Sequence, residues 1–217
     1  NEFELTIKGK GSHAAQPHLS IDPVMVAVQI AQSWQTIVSR NKNPLDAGVL
    51  SITQIHSGSA TNIVPDTASM IGTVRTFTLD TLALIEQRMK EIAEHTATAF
   101  GASVAFAFKR NYPPLINHEP ETQFALEIME AIVGSNGVLK KIEPTMGSED
   151  FAFMLQEKPG CYVFIGNGDG THRTAGHGLG PCNLHNPSYD FNDELLPIGA
   201  SYWVRLAEQF LAKPSLR

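Results

Sequence analysis

The sequence predicts an α/β protein in two parts. Residues 1–112 read as a β-α-β-β-α-β unit of ferredoxin-like plan, and residues 113–217 as a second α/β region with too few strands for a sheet of its own. Three observations predict this. Period-two apolar segments open and close the first part, two helical stripes separate them, and Tyr112-Pro113-Pro114 breaks the pattern at a domain boundary.

Phe3, Leu5 and Ile7 alternate with Glu2, Glu4, Thr6 and Lys8, which is the pattern of a half-buried strand. Residue 1 is Asn, so the chain is expected to begin inside a strand and to be the second part of a longer polypeptide. After a Gly-rich loop, Val24, Ala27, Val28, Ala31, Trp34 and Val38 fall at helical spacing, with Asp22 as N-cap and Pro23 at the first helical position. Two β-rich runs follow, around Val49 to Ile55 and about Asp66 to Phe77, joined by a Gly/Ser loop that favours an antiparallel pair. Leu82, Ile85, Met89, Ile92, Thr96 and Ala99 mark a second helix ending near Gly101, and Val104, Phe106 and Phe108 a fourth strand. Beyond the break, Pro120 opens a helix carrying Phe124, Ile128 and Ile132. Cys161 to Ile165 reads as a strand buried on both faces, and a last helix from Asp193 to about Leu211 turns Leu196, Trp203, Leu206 and Phe210 toward a core.

Composition narrows the function. The chain has 42% hydrophobic and 18% charged residues, as ordinary globular proteins do, and 16 basic against 22 acidic residues give −6. With no Lys/Arg cluster interleaved with aromatics, a nucleic-acid partner has no electrostatic footprint. No apolar run approaches the ~20 residues that cross a bilayer, so no membrane partner is expected. Two thiols, Cys161 in an apolar run and Cys182 in a loop, fit reduced cysteines and a cytoplasmic protein.

The chemistry-bearing motifs are sparse. Leu184-His185-Asn186-Pro187 is a rigid polar turn presenting one imidazole, suited to a divalent metal, yet the chain has no His-Glu-x-x-His helix and no Cys-x-x-Cys pair. The remaining ligands are expected upstream. A self-contained cluster of Asp169, His172, His177 and His185 is the competing arrangement, opposed by the entropy of ordering the Gly-rich loop that carries it.

Five segments in order, Gly9 to His18, Thr61 to Asp66, Gly72 to Arg75, Met146 to Phe151 and His185-Asn186-Pro187, resemble those of bacterial hippurate hydrolase and N-acyl-amino-acid amidohydrolases. These are relatives of carboxypeptidase G, aminoacylase and succinyl-diaminopimelate desuccinylase. The resemblance spans essentially the whole chain. It implies a metal-dependent amidohydrolase that cleaves the amide of a small N-acyl amino acid. Residues 1–112 would be its lid and dimerisation domain, and residues 113–217 the C-terminal part of a three-layer α/β zinc-peptidase domain. It also implies a homodimer formed through the lid and two divalent ions, zinc or else manganese or cobalt, with at most one ligand in this chain. That ligand is His185. His13 would be a catalytic donor to the oxyanion in the partner subunit's site, and Asn62, Arg75 and Gly147 would bind substrate, Arg75 through its planar two-pronged guanidinium.

Simpler roles exist for each residue. Gly9 and Gly11 can serve only tight turning, Asn62 an Asx-turn, Arg75 a surface ion pair, and Ser148-Glu149-Asp150 a helix N-cap. The alternative for the whole chain is a non-catalytic dimerisation module without hydrolytic activity.

Overall fold

The computed structural model describes residues 1–172 and 184–212, which divide into two compact units. The first comprises Asn1–Leu115 with Thr145–Phe153, the second Ile116–Pro144 with the chain from Met154 onward.

The first unit is a four-stranded antiparallel sheet of β1 (Glu2–Lys8), β3 (Gly48–Ser57), β5 (Thr67–Thr76) and β6 (Ser103–Lys109), in the order β3-β5-β1-β6. Between them run α1 (Pro23–Thr36) and α2 (Leu79–Ala99), so the β-α-β-β-α-β expectation holds, with the first strand central. The period-two pattern does the sorting. Phe3, Leu5 and Ile7 are buried under the helices, while Glu2, Glu4 and Lys8 face solvent. Two short strands, β2 (Ser12–His13) and β4 (Ile63–Val64), form a separate ladder that the sequence pattern does not reveal.

Helix α1 starts where expected: the Asp22 carboxylate accepts the N–H groups of Val24 at 2.8 Å and Met25 at 3.4 Å, and Pro23 follows. Its buried stripe is Pro23, Val26, Ala27, Ile30 and Trp34; the predicted Ala27 and Trp34 are in it and Ala31 and Val38 pack at its edge, but Val24 and Val28 are exposed. The helix is apolar on both faces, so periodicity alone cannot choose which side meets the sheet. In α2, capped by the Thr78 hydroxyl, the predicted Leu82, Ile85 and Met89 are buried. Past them Ile92 is half-buried against the core as expected, but Ala93 and Ala97 take the buried positions in place of Thr96 and Ala99, because the stripe continues in steps of four and small side chains let the helix sit close. Gly101, at φ 75°, ends it in the left-handed conformation.

Trp34 is fully buried, meets the Phe3 ring edge-on at 5.1 Å, and donates its indole N–H to the Met89 carbonyl at 2.9 Å. Phe3 in turn rests on Gly72. A Cβ at Gly72 would lie 2.0 Å from the Ser51 carbonyl oxygen and 2.6 Å from the Phe3 ring. Gly72→Ala is therefore expected to destabilise the protein by about 2–3 kcal/mol through overpacking, read as a lower denaturant midpoint; an unchanged midpoint would show that the sheet yields at this point.

The second unit contains α3 (Glu119–Val133) and α5 (Leu196–Ala212), and α4 (Phe151–Glu157) runs across the boundary between the units. Among its described residues there is no strand, so the expected strand at Cys161–Ile165 is absent and Phe164 and Ile165 are exposed. A strand needs a neighbour to pair its backbone, and the described residues of this unit offer none. The apolar side of α5 likewise differs from expectation. Phe210 meets the ring of Phe124, but Leu196 and Trp203 remain 70% and 66% exposed.

Candidate functional site

The chain leaving β1 and the chain entering β5 keep pairing beyond the sheet. Ser12 pairs with Val64, His13 with Ile63, and the Ala14 N–H reaches the Asn62 carbonyl at 2.9 Å, so the His13 and Asn62 motifs come together. The two glycines before His13 do more than permit turning: a Cβ at Gly9 would sit 2.1 Å from the Ile21 carbonyl oxygen, and one at Gly11 would sit 2.8 Å from that of Val64. His13 itself is exposed. Its Nδ1 accepts the Ala15 N–H at 3.1 Å. A ring nitrogen that accepts carries no proton, so the neutral imidazole has its hydrogen on Nε2, pointing away from its own loop as a donor. The Asn62 carboxamide is exposed and makes no hydrogen bond among the described residues, so the Asx-turn is not formed.

Arg75 lies at the opposite end of β5, half-buried beside Val49. Its Nη1 donates to the Met146 carbonyl at 2.7 Å and the Ser148 hydroxyl at 3.0 Å, which brings Gly147 to the guanidinium. This is not the surface ion pair that the sequence allows. Nε and Nη2 keep their N–H groups on the other side, arranged as the fork that a carboxylate accepts. Ser148 does not cap α4 as expected. Its hydroxyl is engaged by Arg75, and the Glu149 carboxylate accepts the Phe151 N–H at 3.3 Å instead. A Cβ at Gly147 would approach nothing nearer than the Thr145 hydroxyl at 3.8 Å, so packing within this unit does not require glycine.

Eight residues separate Thr67, at the His13 end of β5, from Arg75 at the other. At a strand rise of ~3.3 Å per residue that is about 26 Å, and the β2–β4 ladder carries His13 and Asn62 onward from there.

In the second unit, His185 is exposed and stands at φ 70°, the only non-glycine residue with positive φ among those described. The turn after it is tied by Ser188 N–H to Asn186 Oδ1 at 2.8 Å and Tyr189 N–H to the Asn186 carbonyl at 2.9 Å, as the Asn-Pro pattern predicts. No group of three or more His, Cys, Asp or Glu able to hold a metal exists among the described residues, so they do not by themselves fit a metal centre. The Asp169–His172–His177–His185 cluster is not assembled from the members described. The Thr171 N–H holds the Asp169 carboxyl below its ordinary range, and His172 Nε2 is 2.9 Å from the Asp190 carbonyl. His177 and Cys182 lie outside the described residues. Burial pushes the Cys161 thiol up from its ordinary value.

Two participants escaped sequence reasoning. The Ala15 backbone N–H selects the His13 tautomer, and the Asp66 carboxylate accepts the Gly11 N–H at 2.8 Å. An acid following Pro65 between two β-rich runs is the one visible signal for the second; the first has none. No described helix is long and apolar enough to cross a membrane.

Residues 1–100 match the peptidase dimerisation domain family. Over 207 residues the chain is 34% identical to N-acetylcysteine deacetylase of Bacillus subtilis, covering 95% of this chain and 51% of that protein. It is 33% identical over 213 residues to an IAA-amino acid hydrolase of Arabidopsis thaliana, covering 96% and 46%. The crystal structure of a dinuclear metal-binding peptidase of the M20 family from Bacillus subtilis superposes with a TM-score of 0.69 at 28% identity, over 95% of this chain and 48% of that one. The chain spans about half the length of the curated relatives it matches.

Proposed function

Since this chain belongs to the M20 family of amidohydrolases, its first hundred residues being the peptidase dimerisation domain, we propose that it serves a metal-dependent hydrolase of N-acyl amino acids. Residues 1–112 act as lid and dimerisation domain, and residues 113–217 as part of the catalytic domain. What carries the reading is the pairwise convergence of four residues distant in sequence: His13 with Asn62 on one ladder, Arg75 with Gly147 at the other end of β5.

An N-acyl amino acid is shorter than the separation between these two pairs. One copy therefore cannot bring both to one substrate, and a composite site in a homodimer can. The two pairs differ in chemistry. His13 Nε2–H and the Asn62 carboxamide meet the developing oxyanion or acyl oxygen, and the Arg75 fork grips the amino-acid carboxylate. The lid has surfaces for pairing in the unpartnered edge of β3 and the exposed Val24, Met25 and Val28 of α1.

His185 contributes one ligand to a pair of divalent ions, whose other ligands come from outside the described residues. The relative described as a dinuclear metal-binding peptidase supports that assignment. Exposed apolar side chains on the second unit, including Phe164, Trp203 and Val204, fit a surface that packs against further structure.

The test is hydrolysis by the full-length, metal-loaded enzyme of N-acetyl and N-benzoyl amino acids, hippurate first, compared with their methyl esters. Turnover of the free acids, with KM rising about tenfold or more when the carboxylate is masked, is the expected result. Absence of turnover on any N-acyl amino acid would end the reading in favour of a non-catalytic module.

A further inference from the structure

Between the two ladders the paired chains are unequal in length. Lys8 pairs with Thr67 and Ser12 with Val64, so Gly9, Lys10 and Gly11 face only Pro65 and Asp66. Pro65 has no N–H, and Lys10 turns its backbone to Ile21, exchanging bonds of 2.8 and 2.9 Å. The Gly11 N–H is thereby left without a backbone acceptor. The Asp66 carboxylate takes it at 2.8 Å, while the Asp66 carbonyl takes the Gly9 N–H at 2.9 Å. The approach is tight, for a Cβ at Gly11 would lie 3.0 Å from Asp66 Oδ1.

We infer that Asp66 is a positioning residue whose carboxylate holds the His13 strand one residue out of step with the β1–β5 ladder and so aims the His13 Nε2–H. Side chains alternate faces along a strand, so a slip of one residue turns His13 to the opposite side. A side-chain acceptor that satisfies an otherwise unbonded amide suits a clamp on a ladder of two residue pairs. The inference rests on the reading of His13 as a donor.

The experiment has two arms. In long-range proton–nitrogen correlation spectra of the full-length protein, with His13 assigned by His13→Gln, the native protein shows the Nε2–H tautomer. Asp66→Ala shows a mixture of tautomers, and Asp66→Asn, which keeps an acceptor oxygen, restores the native pattern. In the second arm, Asp66→Ala lowers kcat on an N-acyl amino acid ten- to a hundredfold, with KM within about twofold and the thermal midpoint unmoved. Asp66→Asn recovers most of the rate. A native His13 tautomer in Asp66→Ala overturns the inference, as does an equal loss of kcat in both variants. If the native enzyme hydrolyses no N-acyl amino acid, the proposed function falls, and the spectra still decide the part played by Asp66.

Discussion

Full-length enzyme carrying His13→Ala is expected to lose two to three orders of magnitude in hydrolysis of an N-acyl amino acid, the usual cost of removing one oxyanion donor. Arg75→Ala is expected to lose a comparable factor, mostly in KM. The decisive result comes from mixing the two inactive proteins and letting their subunits exchange. If each active site takes His13 from one subunit and Arg75 from the other, half of the randomly formed dimers have one intact site out of two. The mixture then recovers about a quarter of native activity. If both residues served one site from the same subunit, no combination would be intact and the mixture would stay inactive. The about 26 Å along β5 favours recovery. A persistently dead mixture, with subunit exchange verified by mass, would refute the composite site.

His185→Ala is expected to remove one of two bound ions and lower hydrolysis roughly a thousandfold, in keeping with the several kcal/mol a catalytic ion supplies. Metal analysis reads the stoichiometry independently of turnover. The backbone adds a second readout. His185 sits at φ 70°, a conformation that costs a non-glycine residue of order 1 kcal/mol and that glycine adopts freely. His185→Gly is therefore expected to raise the thermal midpoint of the metal-free protein slightly while abolishing the same ion. Full metal content with native rate in either variant would remove His185 from the metal site.

The order of elements in the first unit was legible because a strand and a helix bury different periods. Phe3, Leu5 and Ile7 cannot all face a core except in a strand, and Ile85 and Met89 share a face only on a helix. The cap at Asp22 and the stop at Gly101 are likewise local, each set by a few neighbouring atoms. The face of α1 was legible only in part, at Ala27 and Trp34. Val24 and Val28 are as apolar as Val26 and Ile30, so only docking onto the sheet decided which pair went inside. At Cys161–Ile165 the residues favour a strand, but strand formation depends on a pairing partner, and the unit supplies none among its described residues.

The same division runs through the candidate site. The residue types were readable one by one: an imidazole in a Gly-rich loop, an arginine at a strand end, a histidine before Asn-Pro. Their arrangement was not. Tertiary structure alone joined Arg75 to Met146 and Ser148 across some seventy residues and gave Asp66 the unmatched amide of Gly11, whereas the Ala15 N–H that makes Nε2 of His13 the donor comes from only two residues away. Sequence determined which chemistry each side chain can perform and which local backbone it prefers, because both depend on covalent structure and near neighbours. Which side chains meet was settled only by the pairing of distant strands and the docking of helices, whose energies depend on partners that no local window contains.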